Sequence, residues 1–480
     1  MAITQAPPTS ATAIEQGGIE AIPSSKRHGS PWQLLATWSA PNLEFATVFV
    51  GVIAIGFFGL SFQYAVLAII LGSAFGALTQ GILSTWGPRE GLAQLVLSRT
   101  AFGNIGNILP AGINAIVAGL GWFAVNSVSG AFALSALVPA LPVVVSLIII
   151  VVIEVIVAFI GHDLVQVFER YSSIVLGIIF VIATVIILTH ANLGLGVVNK
   201  EHLGFTFGGF TLATGAAFGY AAGWNPYASD YSRYLPKTVS RAKTGLAAGL
   251  GNFVSCVVLE IAGAASAFIA FNGDNPTNAF VHGLPTVIAD LTLVAIAIGA
   301  IAANALNVYS GAMSFLALGI KIPLALRRAI VAAIFGVIGF FIAWSALPNA
   351  GATYTGFLLV IAYWIAPWLG VVFVDRLLRR GTAISGIVPA HAKYHNWAGP
   401  IAFVVAVVAS IWLFANQYGY FVGVVPNANP NVGDLTALVG FVLAAVLYFI
   451  LFKALKPKLG GPLADEPDDI VGVDAADSAA

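Results

Sequence analysis

Residues 38–44 read WSAPNLE and residues 215–226 read GAAFGYAAGWNP, and each stretch interrupts a long apolar segment. Because proline removes a helical hydrogen bond and glycine is a poor helix former, a continuous helix is unfavourable at both places. Helices that unwind at membrane depth are typical of ligand sites, because they expose backbone groups and helix ends. We therefore predict a broken helix at each stretch. The alternative is an ordinary proline kink combined with close glycine packing.

The composition of the chain is that of an integral membrane protein. Of its 480 residues, 59% are hydrophobic and 8% are charged, whereas soluble proteins carry about 25% charged residues. At about 20 residues per span, this apolar content is enough for about a dozen transmembrane helices. The formal net charge is zero and no block of Lys and Arg occurs, which argues against nucleic-acid binding.

Twelve apolar segments, bounded by glycine, proline or charged residues, are predicted to be transmembrane helices. The segments are solidly apolar rather than alternating, and helices are then the only spanning structures that satisfy the backbone in lipid. The predicted fold class is an all-α polytopic membrane protein with 12 transmembrane helices. The segments cover residues 33–58, 61–84, 107–136, 143–160, 166–190, 208–227, 243–271, 286–319, 325–346, 353–377, 398–418 and 434–454.

A single membrane domain is predicted over residues 33–455. Residues 1–32 are rich in small and polar residues and residues 456–480 are acidic, so we expect both to be disordered cytoplasmic tails. With both termini on the same side of the membrane, only Lys200 of the 20 Lys and Arg residues lies on the other side. The remaining positive charges lie on the side of both termini, which predicts that side to be cytoplasmic. The expected location is the plasma (inner) membrane.

Polar residues occur deep in three of the apolar segments. Trp122 and Asn126 lie one turn apart in the third segment, and Asn304 and Asn307 share a face of the eighth, while Trp224 follows the break in the sixth. Aromatic rings and carboxamides together suit a flat, neutral heterocycle, since the ring stacks and each amide offers a donor and an acceptor. Taken singly, such a Trp could be an interfacial anchor and such an Asn a contact between helices.

The motifs of other functional classes do not occur in the sequence. We find no Gly-x-Ser-x-Gly, His-Glu-x-x-His or nucleotide-binding Gly-x-x-x-x-Gly-Lys motif, so we expect neither an enzyme nor an ATP-driven pump. A channel would need a continuous polar pore lining. Here the polar residues gather at one depth, which favours a carrier with an enclosed site.

Six stretches of the sequence carry a resemblance to a known family. They are WSAPN (38–42), GPREGLAQLVLSRTAFG (87–103), GWFAVN (121–126), GWNPYASDYSRYLP (223–236), NALNVYSGAM (304–313) and YWIAPWLGVVFVD (363–375). In these stretches the chain resembles the purine-cytosine permease branch of the nucleobase-cation symporters. The resemblance implies a leucine-transporter-like fold of five-plus-five inverted repeats, with repeat one at about 33–190 and repeat two at about 208–377. Two additional C-terminal helices follow at about 398–454.

The resemblance also implies a function and a set of site residues. It predicts import of a nucleobase such as cytosine or a purine by cation symport with alternating access. It assigns stacking to Trp122 and Trp224 and hydrogen bonding to Asn126 and Asn307. Asn42 and Asn304 are further candidates for substrate binding. Allantoin, hydantoin, uracil, thiamine and pyridoxine remain alternative substrates, and a facilitative channel is the alternative of another class. We expect no cofactor, no partner besides substrate and lipid bilayer, and a monomer or weak oligomer.

The sequence favours a proton over sodium as the coupling ion. The resemblance implies that sodium-coupled members of the family place hydroxyl side chains at the positions that look equivalent to Ala302 and Ala303 of this chain. A proton carrier in a membrane needs a buried carboxyl group, because burial disfavours its charged form. Glu44 is the first candidate, followed by Glu154 and Glu260, and the alternative for each is a structural carboxyl group.

Asp230 and Arg233 lie three residues apart after the sixth segment. They could brace an inner gate by an ion pair or simply satisfy polar groups at a loop end. The sequence does not distinguish between these two interpretations.

Overall fold

The computed structural model describes residues 19–160, 162–194, 197–198, 201–273, 275–318, 327–417 and 419–462. Most of both predicted tails, residues 1–18 and 463–480, lies outside the described residues, as does Lys200.

The first part of the chain is helical, and it contains a 3-10 turn and a π-helix besides its α-helices. A 3-10 turn, Ala40–Asn42, separates the first two helices, and a π-helix, Asn114–Leu120, precedes the eighth. The α-helices are α1 (Gln33–Ser39), α2 (Phe45–Gly56), α3 (Phe62–Ser84), α4 (Gly87–Glu90), α5 (Gln94–Leu97), α6 (Arg99–Gly106), α7 (Ile108–Ile113), α8 (Gly121–Leu137), α9 (Val143–Ile160) and α10 (His162–His190).

The second part is built in the same way, with the 3-10 turn Asn225–Tyr227 after its first helix. The α-helices are α11 (Phe207–Ala222), α12 (Ala228–Ser232), α13 (Arg241–Ser266), α14 (Pro276–Val281), α15 (Thr286–Ala317), α16 (Arg327–Ala346), α17 (Ala350–Leu378), α18 (Ala398–Phe414), α19 (Val424–Ala428) and α20 (Thr436–Leu455). Short antiparallel strand pairs join β1 (Val197–Val198) with β2 (Glu201–His202), β3 (Thr382–Ala383) with β6 (Gly461–Pro462), and β4 (Asn416–Gln417) with β5 (Phe421–Val422).

Each of the twelve predicted segments coincides with a helix or a broken helix. Among the described residues, six helices are long and apolar enough to cross a membrane, and the bent pair α1–α2 could supply a seventh span. Shorter apolar helices at Val143–Ala158, Ile174–His190 and Ala398–Phe414 lie at three further predicted segments. The chain is therefore a polytopic helical protein, while the number of twelve spans stays a prediction.

Both predicted helix breaks are confirmed. The axes of α1 and α2 differ by 58°, and Glu44 has an extended backbone with its side chain accepting a hydrogen bond from Ala46 N. In the second half, α11 ends at Ala222 and α12 begins at Ala228. Proline lies inside each intervening 3-10 turn, at Pro41 and Pro226, where it has no helical hydrogen bond to lose.

The helix contacts follow the two-fold pattern that a repeated fold requires. The first segment (α1 and α2) packs on α13 of the seventh, and correspondingly α11 of the sixth packs on α3 of the second. The fifth segment, α10, contacts α1, and the tenth, α17, contacts α11. Likewise α10 packs on α15 and α17 on α8. Each broken helix therefore packs against helices of its own half and of the opposite half.

Two glycines allow α2 and α13 to cross at backbone contact. A Cβ atom on Gly263 would lie 2.7 Å from the carbonyl carbon of Val48, and one on Gly51 would lie 2.6 Å from the amide nitrogen of Ala264. These separations are too short for any side chain, because a backbone cannot shift as a flexible side chain does. The close crossing fixes α2, the second part of the first broken helix.

The described part of the N-terminal tail is packed rather than disordered. Ile19 and Arg27 are buried. Ile22 N donates to Gly91 O (3.0 Å) and His28 N donates to Tyr234 O (2.7 Å), while Arg27 Nη1 donates to Pro88 O (2.9 Å). The prediction of disorder is therefore wrong from residue 19 onward, because backbone and guanidinium hydrogen bonds outweigh the polar composition.

The start of the C-terminal tail is likewise ordered. Arg379 Nη1 donates to the carbonyl oxygens of Lys458 and Leu459, both at 2.6 Å, and β6 pairs with β3. These contacts hold residues 456–462 against the end of α17. The predicted tail is therefore shorter than its composition suggests.

A buried ion pair anchors the same region. Arg379 Nε donates to Asp375 Oδ1 (2.7 Å), and Arg379 Nη2 donates to the Tyr394 hydroxyl (2.5 Å). Burial raises the pKa of Tyr394 to about 12, so its hydroxyl stays protonated and also donates to Thr100 O (3.2 Å). Loss of one charge would leave its partner buried and unpaired, which is strongly destabilising.

The crossing of α2 and α13 predicts the effect of a single methyl group. Gly263→Ala should lower the free energy of unfolding by about 1–3 kcal/mol, because the methyl group overpacks against backbone. Gly215→Ala is the matched control, since its Cβ would lie 3.5 Å from Leu359 Cδ2, an ordinary contact. Thermal unfolding of the two detergent-solubilised variants measures the difference. Equal transition temperatures would contradict the close crossing.

Candidate functional site

One hydrogen bond joins the two helix breaks. Trp224 Nε1 donates to Asn42 Oδ1 at 2.8 Å. The amide nitrogen of Asn42 donates to Trp38 O (2.7 Å) and to Ser255 Oγ (3.2 Å). Asn42 is fully buried, and its side-chain hydrogen bonds all go to the protein. It therefore positions the Trp224 indole.

Trp122 also lies against the second break. Its indole would be 3.0 Å from a Cβ atom placed on Gly223, the residue before Trp224. Its ring meets Tyr220 edge-on, with centroids 5.4 Å apart at 87°, and Phe357 at 4.9 Å and 82°. A side chain at position 223 would require the Trp122 indole or the backbone of Tyr220 to shift by a few tenths of an ångström. The structure therefore brings both predicted stacking residues to the same turn of the sixth segment.

The predicted amides form one cluster centred on Asn304. Asn304 Oδ1 accepts hydrogen bonds from Asn126 Nδ2 (3.0 Å) and Asn307 Nδ2 (3.3 Å). Asn304 Nδ2 donates to Phe123 O (2.9 Å) and lies 3.3 Å from Ser127 Oγ. Asn304 is thus occupied by the protein, and it holds the two other amides in place.

Two acceptors of this cluster are left without partners. Asn126 Oδ1 and Asn307 Oδ1 are buried and have no hydrogen-bond partner among the described residues. A buried polar atom without a partner costs about 1–3 kcal/mol. Both oxygens are therefore suited to bind the N–H groups of a ligand.

Glu44 connects the first break with the sixth segment. Its Oε2 accepts from Ala46 N (2.9 Å) and its Oε1 from the Tyr220 hydroxyl (3.2 Å). The Tyr220 hydroxyl also contacts Thr47 Oγ1 in a short hydrogen bond. Because the Tyr220 ring packs on Trp122, the carboxyl group is two contacts away from a predicted stacking residue.

The other two candidate carboxyls are also buried. Glu154 Oε2 lies 2.6 Å from Ser127 Oγ, next to the amide cluster. Glu260 Oε2 accepts from Ser73 Oγ (2.7 Å), where α13 meets α3. The Oε1 atoms of Glu154 and Glu260 have no hydrogen-bond partner among the described residues. Glu154 is therefore linked to the amides, whereas Glu260 belongs to a separate helix contact.

Asp230 and Arg233 lie at a contact between the two halves. Asp230 Oδ1 accepts from Gln94 N (2.8 Å), and Ser229 Oγ donates to Gln94 Oε1 (2.8 Å). Arg233 Nε lies 3.3 Å from Asp230 O. Asp230 and Arg233 are both buried. This motif ties α12 of the second half to α5 of the first.

An apolar cavity of about 100 Å³ adjoins the helix turn that carries Trp122. It is lined by Gly121 and Val125 of α8, by Phe49 of α2, and by Tyr354 and Phe357 of α17. In the predicted topology it lies on the extracellular side of the tryptophan.

Two residues of the site were missed by the sequence analysis. Tyr220 carries the contact between Glu44 and Trp122, and Ser127 carries the one between Glu154 and Asn304. Tyr220 lies one helical turn before Trp224, so a search for hydroxyl groups at that spacing would have found it. No local signal distinguishes Ser127 from other serines in apolar helices.

The described helices define a multi-pass helical membrane protein. Mhp1, a nucleobase-cation-symport-1 family transporter, was solved in a closed conformation with bromovinylhydantoin bound. Its TM-score is 0.73 over 92% of this chain and 96% of that chain, at 18% identity. The inward-facing conformation of Mhp1 has a TM-score of 0.70 over 94% of this chain and 97% of that chain, at 19% identity. The predicted leucine-transporter-like fold is therefore confirmed.

The sequence comparisons identify the family. A family model for permeases of cytosine/purines, uracil, thiamine and allantoin matches residues 21–440, so the chain belongs to this family of transporters. It is 28% identical over 469 residues to the putative purine-cytosine permease YxlA of Bacillus subtilis (strain 168), covering 93% of this chain and 98% of that one. It is also 28% identical over 463 residues to the purine-cytosine permease fcyB of Emericella nidulans, covering 91% and 88%. The predicted family is confirmed, and the protein is a transporter rather than an enzyme.

The central position of Asn304 predicts its effect on stability. Asn304→Ala should lower the free energy of unfolding by about 1–3 kcal/mol, because it removes the shared acceptor of two buried amides. Asn307→Ala removes one long hydrogen bond and an unpartnered oxygen, so its effect should be smaller. Thermal unfolding without ligand compares the two variants. The reverse order would contradict the central role of Asn304.

Proposed function

We propose that the protein imports a flat, neutral nucleobase such as cytosine or a purine by proton symport. The observation that carries this proposal is the pair of unpartnered buried acceptors, Asn126 Oδ1 and Asn307 Oδ1, together with the indoles of Trp122 and Trp224. Ring N–H and exocyclic amino groups would satisfy the two oxygens. The indoles would stack on the ring faces. Asn42 and Asn304 act as positioning residues in this arrangement.

The charge of the site supports a neutral substrate. The hydrogen-bond partners that hold Trp224 and the amide cluster are amides, hydroxyls and backbone groups. An anionic substrate would be buried there without a positive partner, which is costly. The relatives described as purine-cytosine permeases support a nucleobase. Uracil, allantoin, hydantoin, thiamine and pyridoxine are the alternatives, and competition against labelled cytosine separates them.

Glu44 is the carboxyl group that we assign to proton coupling. Glu44 accepts a hydrogen bond from Tyr220, and Tyr220 packs on Trp122. Protonation of Glu44 would therefore act on the proposed substrate site through these two contacts. Ala302 and Ala303 are buried and offer no side-chain oxygen on a helix, α15, that contacts the turn Ala40–Asn42. Sodium binding would then depend on other oxygen ligands. Glu154, linked to the amides through Ser127, is the second candidate.

Alternating access fits the contacts between the two halves. The cavity beside Trp122 supplies an entry on the predicted extracellular side. The contacts of Asp230 and Ser229 with Gln94 close the opposite side, so they act as an inner gate that separates when the site opens inward. We place the protein in the plasma membrane with both termini cytoplasmic, as a monomer or weak oligomer. Uptake that saturates and exceeds equilibrium would exclude a facilitative channel.

The two tryptophans provide the test of substrate binding. Trp122→Ala and Trp224→Ala should each remove about 1–3 kcal/mol of stacking and weaken binding about ten- to a hundredfold. Trp412→Ala, on the exposed face of α18, is the matched control and should bind normally. Binding of labelled cytosine to purified protein is the measurement, with a purine as second ligand. Normal affinity in a folded Trp224→Ala variant would refute the site.

Glu44→Gln provides the test of coupling. Glutamine can still accept from Ala46 N and can donate to the Tyr220 hydroxyl, but it cannot take up a proton. The variant should therefore keep exchange of labelled for unlabelled substrate and lose accumulation, while the normal protein accumulates more substrate as external pH falls. Uptake into vesicles with an imposed proton gradient measures both activities.

Glu260→Gln is the control for this experiment and should still accumulate substrate. If Glu44→Gln accumulates normally, the proton is carried elsewhere, and Glu154→Gln is tested next. If uptake depends steeply on sodium and does not respond to pH, the coupling ion is sodium rather than a proton.

A further inference from the structure

We propose that the protein binds an anionic phospholipid at the surface between α3 and α13, at a site outside the substrate-binding cluster. The site has two parts that meet. One is an apolar groove along the two helices, and the other is a small basic pocket at the helix ends. Thr85 and Arg241 line both parts.

The groove has the chemistry of an acyl-chain site. It has a volume of about 660 Å³. Its floor is formed by Ala77 and Gly81 of α3 and by Gly245 and Gly249 of α13, and larger side chains such as Leu246 line it as well. Small residues at a helix crossing leave a furrow that a flexible hydrocarbon chain can fill.

The basic pocket has the chemistry of a phosphate site. It has a volume of about 100 Å³, and Arg89, Lys237 and Arg241 line it. Arg89 pairs with Glu90 (3.3 Å), but Glu90 is shared with Arg376 (2.6 Å). The cluster therefore carries more positive than negative charge, and Lys237 and Arg241 form no ion pair with the described residues.

The start of α13 adds to this positive field. Ser240 caps the helix through Lys243 N, and the first backbone N–H groups of a helix attract anions. α3 ends at Ser84 and α13 begins at Arg241, so the pocket lies where both helices leave the membrane. Basic pockets between transmembrane helices at this depth bind lipid head groups. A groove for a chain that ends in a pocket for a phosphate fits a phospholipid better than a free anion.

Native mass spectrometry of the full chain, titrated with palmitoyl-oleoyl phosphatidylglycerol in detergent, tests the proposal. The variant Lys237→Gln/Arg241→Gln should weaken binding of the first phosphatidylglycerol at least about tenfold. The control Lys453→Gln/Lys458→Gln removes the same charge from the region of α20 and should leave affinity unchanged. Equal losses in the two double variants would overturn the proposal, because they would indicate attraction by net charge alone.

The groove is tested separately by filling it. Leu246→Trp should weaken binding of phosphatidylglycerol, whereas Leu438→Trp, on an exposed face of α20, should not. Phosphatidylcholine should bind more weakly than phosphatidylglycerol, and inorganic phosphate should not displace the lipid. Equal binding of both lipids, normal binding by Leu246→Trp, or displacement by phosphate would each overturn the proposal.

Discussion

The hydrogen bond from Trp224 to Asn42 is the interaction on which the architecture of the site depends. A helix that breaks inside a membrane exposes backbone groups that lipid cannot satisfy. Both breaks occur where the two halves of the protein touch, and Asn42 satisfies the carbonyl of Trp38 as well as the indole of Trp224. One buried amide thus stabilises the first break and orients a side chain of the second.

The other candidate site residues form two further groups of contacts. Asn304 collects the amides of Asn126 and Asn307 and leaves one oxygen of each unpartnered. Glu44 reaches the aromatic side of the same site through Tyr220. Glu44, the candidate proton carrier, and Trp122, a candidate substrate-binding residue, therefore both contact Tyr220. In the proposed symport mechanism such a shared contact is required, because a coupled ion affects the substrate only through groups whose arrangement depends on both.

Close backbone contacts make the surrounding scaffold rigid. Gly263 brings α13 against Val48 of α2, and Gly223 lets the Trp122 indole lie on the backbone beside Trp224. The first and sixth segments each pack against helices of both halves. The hydrogen bond between Gln94 and Asp230 is a further contact between the two halves, and it is polar rather than a backbone crossing.

The sequence by itself determined the helices, the two breaks and the family. These features depend on local rules, because apolar length sets a membrane helix and proline or glycine interrupts it. The sequence also singled out Trp122, Trp224 and the amides of Asn126, Asn304 and Asn307, whose segments the structure brings together. It did not reveal that Asn42 and Asn304 are occupied by the protein, or that Tyr220 joins Glu44 to Trp122. Those facts depend on partners that are 182 residues apart for Trp224 and Asn42 and 178 apart for Asn126 and Asn304. Only the packing of the two halves decides such pairings, because a buried polar group bonds to whichever neighbour the fold supplies.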